Sequence, residues 1–127
     1  MTGIADSHLL IWLADRPDRV GADAMAFVRD PANRLMLSMA SVWELALKEA
    51  KRKLELSMPV HELVTRWVAN GGLLLPITLA HVFRSVSLPS IHRDPFDRML
   101  IAQTLAEGGK LLSDDADIHQ YPVPTVW

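Results

Sequence analysis

The sequence predicts an α/β domain in three layers, with a parallel sheet of about four to five strands covered on both faces by helices. Two observations carry this. Short runs such as Gly3-Ile4-Ala5, Leu35-Met36-Leu37, Leu73-Leu74-Leu75 and Leu111-Leu112 are apolar without alternation, as strands buried on both faces are. Longer segments of helical periodicity separate them, which is the rhythm of parallel strands joined by crossovers. The 127 residues fit one domain, residues 1–127, with no repeat, linker or low-complexity stretch.

Taken in order, Gly3-Ile4-Ala5 is the first strand, and Asp6 precedes a helix through Leu9, Leu10 and Leu13 that Arg16-Pro17-Asp18 breaks. Ala22 to Arg29 is a second helix, ended by Asp30-Pro31 because proline disfavours helix in the residue before it. After the strand at Leu35, a third helix is expected from Ser41 to Leu54, with Val42, Leu45, Ala46, Glu49 and Ala50 as its inner stripe. Val60 to Ala69 is a fourth helix, closed by Asn70-Gly71-Gly72, and Leu73-Leu74-Leu75 the next strand. Ala80 to Val86 is a short helix. Asp94 caps a longer one, with Pro95 at the first helical position where its missing N–H costs nothing, and Gly108-Gly109 ends it. Lys110 to Ser113 is a strand, Asp115 to Gln120 a helical turn, and Val123 to Val126 an edge strand.

Composition narrows the function classes. A formal charge of −2 provides no global field for nucleic acid, so such binding needs a local basic patch or metal ions. Without cysteine there are neither disulfides nor thiolate zinc sites. The first residues show no basic leader with an apolar core, and no apolar run approaches the ~18 residues of a membrane span. The expectation is a soluble, cytoplasmic protein. His61-Glu62 lacks the second histidine that a zinc-protease helix requires.

Four acids stand at element junctions: Asp6, Glu44, Asp97 and Asp115. Each has an ordinary structural explanation. Asp6 and Asp115 suit helix N-caps, Ser41-Val42-Trp43-Glu44 fits a capping box, and Asp97 complements a helix dipole. Their joint placement says more. In an open parallel sheet the loops leaving the strands share one edge, where ligands bind. Acids converging there repel one another unless a cation neutralises them, and an all-oxygen set selects a hard ion, Mg²⁺ or Mn²⁺. Such ions lower the pKa of bound water and steady the leaving oxygen of an in-line displacement at phosphorus, which suits phosphodiester hydrolysis.

These residues closely resemble the PIN-domain ribonucleases, specifically the VapC-type toxins of bacterial toxin–antitoxin pairs, over nearly the whole chain. Asp6-Ser7-His8 with Trp12 is similar to the opening Asp-Thr-His…Trp motif, with serine for the usual threonine. Trp43-Glu44 matches the Trp-Glu pair of the second motif. His92 to Gln103 matches the third, Asp-Pro-Phe-Asp-Arg followed by Ile-Ala-Gln, and is the most specific. Leu111 to Asp115 with Tyr121 resembles the last. The resemblance implies a PIN-like α/β/α fold and a toxic endoribonuclease that uses Mg²⁺ or Mn²⁺. It implies Asp6, Glu44, Asp97 and Asp115 as catalytic metal ligands, with the hydroxyl of Ser7 or Ser113 holding ligands or phosphate. Two positions depart from the pattern. Asp114 replaces a neutral or basic residue, which leaves Asp114 and Asp117 as rivals of Asp115. Arg52 replaces a frequent glycine, so the third helix is expected to run longer.

The cluster Lys48, Lys51, Arg52 and Lys53 fits a solvated helix end or, alternatively, RNA phosphate contact helped by Arg93 and Arg98. Arg98, beside Asp97, is the preferred phosphate ligand. His8 and His92 are candidates for RNA contact or proton transfer. Apolar side chains on the second to fourth helices offer a groove for a partner, which the resemblance identifies with the C-terminal segment of a cognate VapB-type antitoxin. A homodimer is likewise implied. The competing readings are a non-toxin PIN nuclease and a non-catalytic PIN-like module that binds RNA or protein. The identity of the target RNA is left open.

Overall fold

Every anticipated strand forms, and all pair in parallel. The computed structural model describes residues 1–127. Strands β1 (Thr2–Ala5), β2 (Arg34–Ser38), β3 (Leu73–Leu75), β4 (Lys110–Leu112) and β5 (Thr125–Val126) lie in the order β3-β2-β1-β4-β5. β1 is central, with Ile4 opposite Met36 on one side and Leu111 on the other. The chain steps outward from β1 to β3, then crosses back beyond β1 to lay down β4 and β5. This reversal between β1 and β4 opens a crevice at their carboxyl ends.

The helices are α1 (Ser7–Asp15), α2 (Ala22–Arg29), α3 (Met39–Ala50), α4 (Val60–Ala69), α5 (Leu79–Ser87), α6 (Pro95–Glu107) and α7 (Ala116–His119). Alternating strand residues feed two core layers. Ala5, Leu37 and Leu112 pack with Leu9, Leu45, Leu63 and Trp67 under α1, α3 and α4. Ile4, Met36 and Leu111 pack with Leu100, Ile101 and Ile118 of α6 and α7. Helix α6 begins and ends as its sequence requires. The Asp94 carboxylate accepts from the Phe96 and Asp97 amides, and Gly108 closes the helix in the left-handed conformation at φ 66°. Gly109 answers a different need, since a Cβ there would lie 2.6 Å from the Thr2 carbonyl oxygen.

Several boundaries differ from expectation, each for a local reason. Ser38 rather than Ser41 caps α3, accepting from the Ala40 amide at 3.0 Å, so the helix starts earlier and the Ser41–Glu44 capping box does not form. The helix stops at Ala50, not Leu54, because Arg52 takes the left-handed conformation at φ 54°. The inner face of α3 is Ala40, Ser41, Glu44 and Leu45, whereas Ala46, Glu49 and Ala50 are exposed. The stripe rotates because Glu44 finds partners inside. Helix α5 is longer than foreseen because Thr78 forms a capping box with His81. The last strand shrinks to Thr125–Val126, the pairing limited by Pro122 and Pro124.

Candidate active site

The carboxyl ends of β1 and β4 are adjacent, the Asp6 amide donating to the Leu112 carbonyl. Asp6 follows β1 and caps α1, its Oδ1 accepting from the Leu9 amide at 2.8 Å. Asp115 follows β4 and caps α7, its Oδ1 accepting from the Asp117 amide at 2.8 Å. Capping occupies one oxygen of each carboxylate and leaves the other uncommitted by the helix. Cap and ligand are therefore compatible roles. Asp97 sits in the first turn of α6, and Glu44 on the inner face of α3.

All four acids line one cavity of about 110 Å³, together with Ser7, His8, Lys48 and Asp94. Asp114 and Asp117 are exposed, so Asp115 is the member of that acidic trio that faces the cavity. The four do not converge on a single point as a finished ligand set. Each is held by its own neighbour. Glu44 accepts from the Ser7 hydroxyl at 2.5 Å through Oε1 and pairs with Lys48 Nζ at 3.4 Å through Oε2. Asp97 Oδ2 lies 3.2 Å from His92 Nε2.

Electrostatics show a site short of positive charge. Burial pushes Asp97 up to about 6; its His92 contact opposes this, while Asp94, Asp115 and Glu44 add to it. Burial likewise raises Asp6, against hydrogen bonds from Ser113 and Leu9. Against five carboxylates the cavity offers one ammonium, Lys48. The donors are all hard oxygens, so the residues present fit a divalent cation such as Mg²⁺ or Mn²⁺.

A network behind Asp97 escaped the sequence. His92 Nδ1 lies 2.8 Å from the Tyr121 hydroxyl, which accepts from Arg98 Nη1 at 3.0 Å and from the His92 amide at 3.2 Å. His92 thus bridges Asp97 through Nε2 and Tyr121 through Nδ1, and the Tyr121 hydroxyl also donates to the His92 carbonyl at 3.5 Å. Burial pulls His92 down, but Tyr121 and Asp97 outweigh it and the net shift is upward. Burial raises Tyr121, yet its bonds to His92 and Arg98 bring it below the ordinary phenol value. The 29-residue separation of His92 and Tyr121 hid this pair. The Asp94 cap lies three residues before Asp97 and lines the same cavity, a second role that its place at the helix start does not reveal.

The remaining side chains divide. Ser7 and Lys48 are in the cavity wall, and Ser113 is buried beside Asp6, its Oγ accepting from the Asp115 amide at 3.1 Å. His8 lines the cavity and stacks on Trp12. Arg98 is a correction. Its guanidinium donates to the carbonyls of Pro89, Ser85 and Leu88 as well as to Tyr121, so it clamps the loop before α6 instead of awaiting phosphate. Arg93 is exposed and borders a separate, larger cavity with Trp43 and Phe96.

Comparison with known proteins agrees with this architecture. Ribonuclease VapC22 of Mycobacterium tuberculosis (strain ATCC 25618 / H37Rv) is 29% identical over 130 residues, covering 99% of this chain and 98% of that protein. Among solved structures, VapBC2 from Rickettsia felis, bound to a DNA fragment from its promoter, aligns with a TM-score of 0.73 at 10% identity, covering 98% of this chain and 97% of that one. Mycobacterium tuberculosis VapC20, a sarcin-ricin loop cleaving toxin, aligns with a TM-score of 0.67 at 13% identity, covering 95% of each chain. The family model for the PIN domain matches residues 4–124. The chain therefore belongs to the PIN domain family.

Proposed function

We propose that this protein is a VapC-like toxin, a metal-dependent endoribonuclease that hydrolyses RNA phosphodiester bonds and is held inactive by a cognate VapB-type antitoxin. One observation carries the reading. Four carboxylates from four separate elements line a single cavity at the switch point of the sheet, where burial lifts Asp97 to about 6. A passive binding module gains nothing from so much like charge in one place.

Asp6, Glu44, Asp97 and Asp115 are the residues that would hold Mg²⁺ or Mn²⁺. A bound divalent ion supplies activated water and charge neutralisation at the phosphate. The chain's own residues do the rest. Ser7 and Lys48 fix the two oxygens of Glu44. Ser113 orders the Asp115 cap, and the His92–Tyr121 pair sets the orientation of Asp97.

Two apolar surfaces support the partners. A cavity of about 350 Å³ between α1, α2 and α4, lined by Leu10, Leu13, Val28, Leu63 and Trp67, suits an antitoxin segment. The outer face of α5 exposes Leu79, Phe83 and Val86, each more than 60% accessible, and supports a homodimer.

The test is incubation of purified protein with RNA and Mg²⁺ or Mn²⁺, beside Asp6→Asn and Asp97→Asn. Cleavage that needs the ion and falls about 100-fold or more in either variant is expected. Unchanged cleavage by the variants would remove the assigned roles.

A further inference from the structure

We infer that the groove between the C-terminal end of α3 and the start of α6 is a phosphate track, in which Lys51 and Lys53, beside the Glu44-bound Lys48, hold the RNA backbone next to the scissile bond. This rests on the nuclease reading and names where its substrate lies. The groove, about 400 Å³, is walled by Glu44, Lys48, Asp94 and Phe96 as well as the two further lysines. Glu44, Lys48 and Asp94 also line the acidic cavity. A strand with a phosphate at the carboxylates therefore continues directly into the groove.

The basic wall is built by a strained turn. Had α3 continued to Leu54, Lys51 and Lys53 would point roughly 200° apart around its axis. Instead Arg52 adopts φ 54°, a conformation that costs a non-glycine residue energy, and the Lys53 amide donates back to the Lys48 carbonyl at 2.9 Å. The turn brings three ammonium groups onto one groove. Lys51 and Lys53 pair with no carboxylate, whereas Lys48 already serves Glu44. The fold-back is itself a Schellman cap, with the Arg52 amide donating to the Glu49 carbonyl and the Lys53 amide to that of Lys48, and its consequence here is that both further lysines line the groove. A chain of charge −2 whose cavity repels phosphate does need such a local patch. Phe96 provides an apolar surface against a ribose or base, its ring meeting Trp43 edge-on with centroids 5.4 Å apart.

The test uses full-length protein carrying Asp97→Asn, so that RNA stays intact, and a labelled single-stranded RNA 12-mer whose affinity is read by anisotropy across a salt series. Adding Lys51→Ala and Lys53→Ala removes two phosphate contacts. The slope of log affinity against log salt should become shallower by about 1.4, with about 10- to 25-fold weaker binding near 0.1 M salt. Lys51→Arg with Lys53→Arg should keep the slope. Arg29→Ala with Arg34→Ala removes equal charge at the opposite sheet edge and should also keep it. A lysine-to-alanine pair indistinguishable from that arginine control overturns the track while leaving the nuclease intact. If unmutated protein with Mg²⁺ or Mn²⁺ fails to cut RNA at all, the nuclease reading falls and the track with it.

Discussion

Asp97 shows how far one carboxylate can be drawn between folding and function. Its value of about 6 lies above the 3.8 of an ordinary aspartate. Between about pH 4 and pH 6 the native protein therefore keeps a proton that the unfolded chain has released. In the absence of divalent ions, stability falls as pH rises through that window. Allowing for partial solvent screening, the loss is about 1–2 kcal/mol. Asp97→Asn should abolish RNA cleavage yet raise the melting temperature of metal-free protein at pH 7 by roughly 3–6 °C, and flatten its dependence between pH 4 and 6. Calorimetry at several pH values checks this, and equal melting curves for both proteins would contradict it. Tyr121 acts one step further away, through His92. Tyr121→Phe should raise the half-saturating Mn²⁺ concentration about tenfold, while the rate at saturating Mn²⁺ changes less. A purely structural tyrosine would lower stability without moving the metal dependence.

At the scale of elements, the ends of α3 and α6 make an instructive contrast. Helix α6 closes on Gly108 at φ 66°, and α3 turns on Arg52 at φ 54°. Replacing the first with alanine should cost about 1 kcal/mol, and replacing Arg52 with glycine should add about 0.5–1 kcal/mol. Opposite signs at two superficially similar positions, read by urea denaturation, are the expected result. Arg52→Gly keeps the turn and so keeps Lys51 and Lys53 in their groove. The four acids of the cavity are likewise positioned by their own elements. Asp6, Asp97 and Asp115 sit on different helix starts and Glu44 in mid-helix, each restrained locally.

For the whole molecule, the outer face of α5 carries the next prediction. Leu79, Phe83 and Val86 are exposed on one helix that packs inward through His81. A second copy covering that face would remove this apolar surface from water. Phe83→Asp with Val86→Asp should yield a monomer by light scattering with an unchanged fold, whereas the unmutated chain runs as a dimer. A monomeric unmutated chain would leave α5 without a partner of its own kind.

The strands, their parallel pairing and most helix boundaries were legible in the sequence, because apolar runs, caps, prolines and glycines act within a few residues. So were Asp6, Asp97 and Asp115, each announced by a helix start, whereas Glu44 lies in mid-helix and the capping box that pointed to it does not form. What the chain's order could not reveal was decided by packing across the fold. Ser7, 37 residues from Glu44, supplies the bond that turns that side chain inward, and Tyr121, 29 residues from His92, completes the support of Asp97. Tertiary structure likewise moved Arg98 from phosphate ligand to loop clamp, and folded the end of α3 back at Arg52. Local chemistry determined which groups exist and where each element begins. Only the closed three-dimensional arrangement set which of them face one another, since charge and hydrogen bonding act through space and not along the chain.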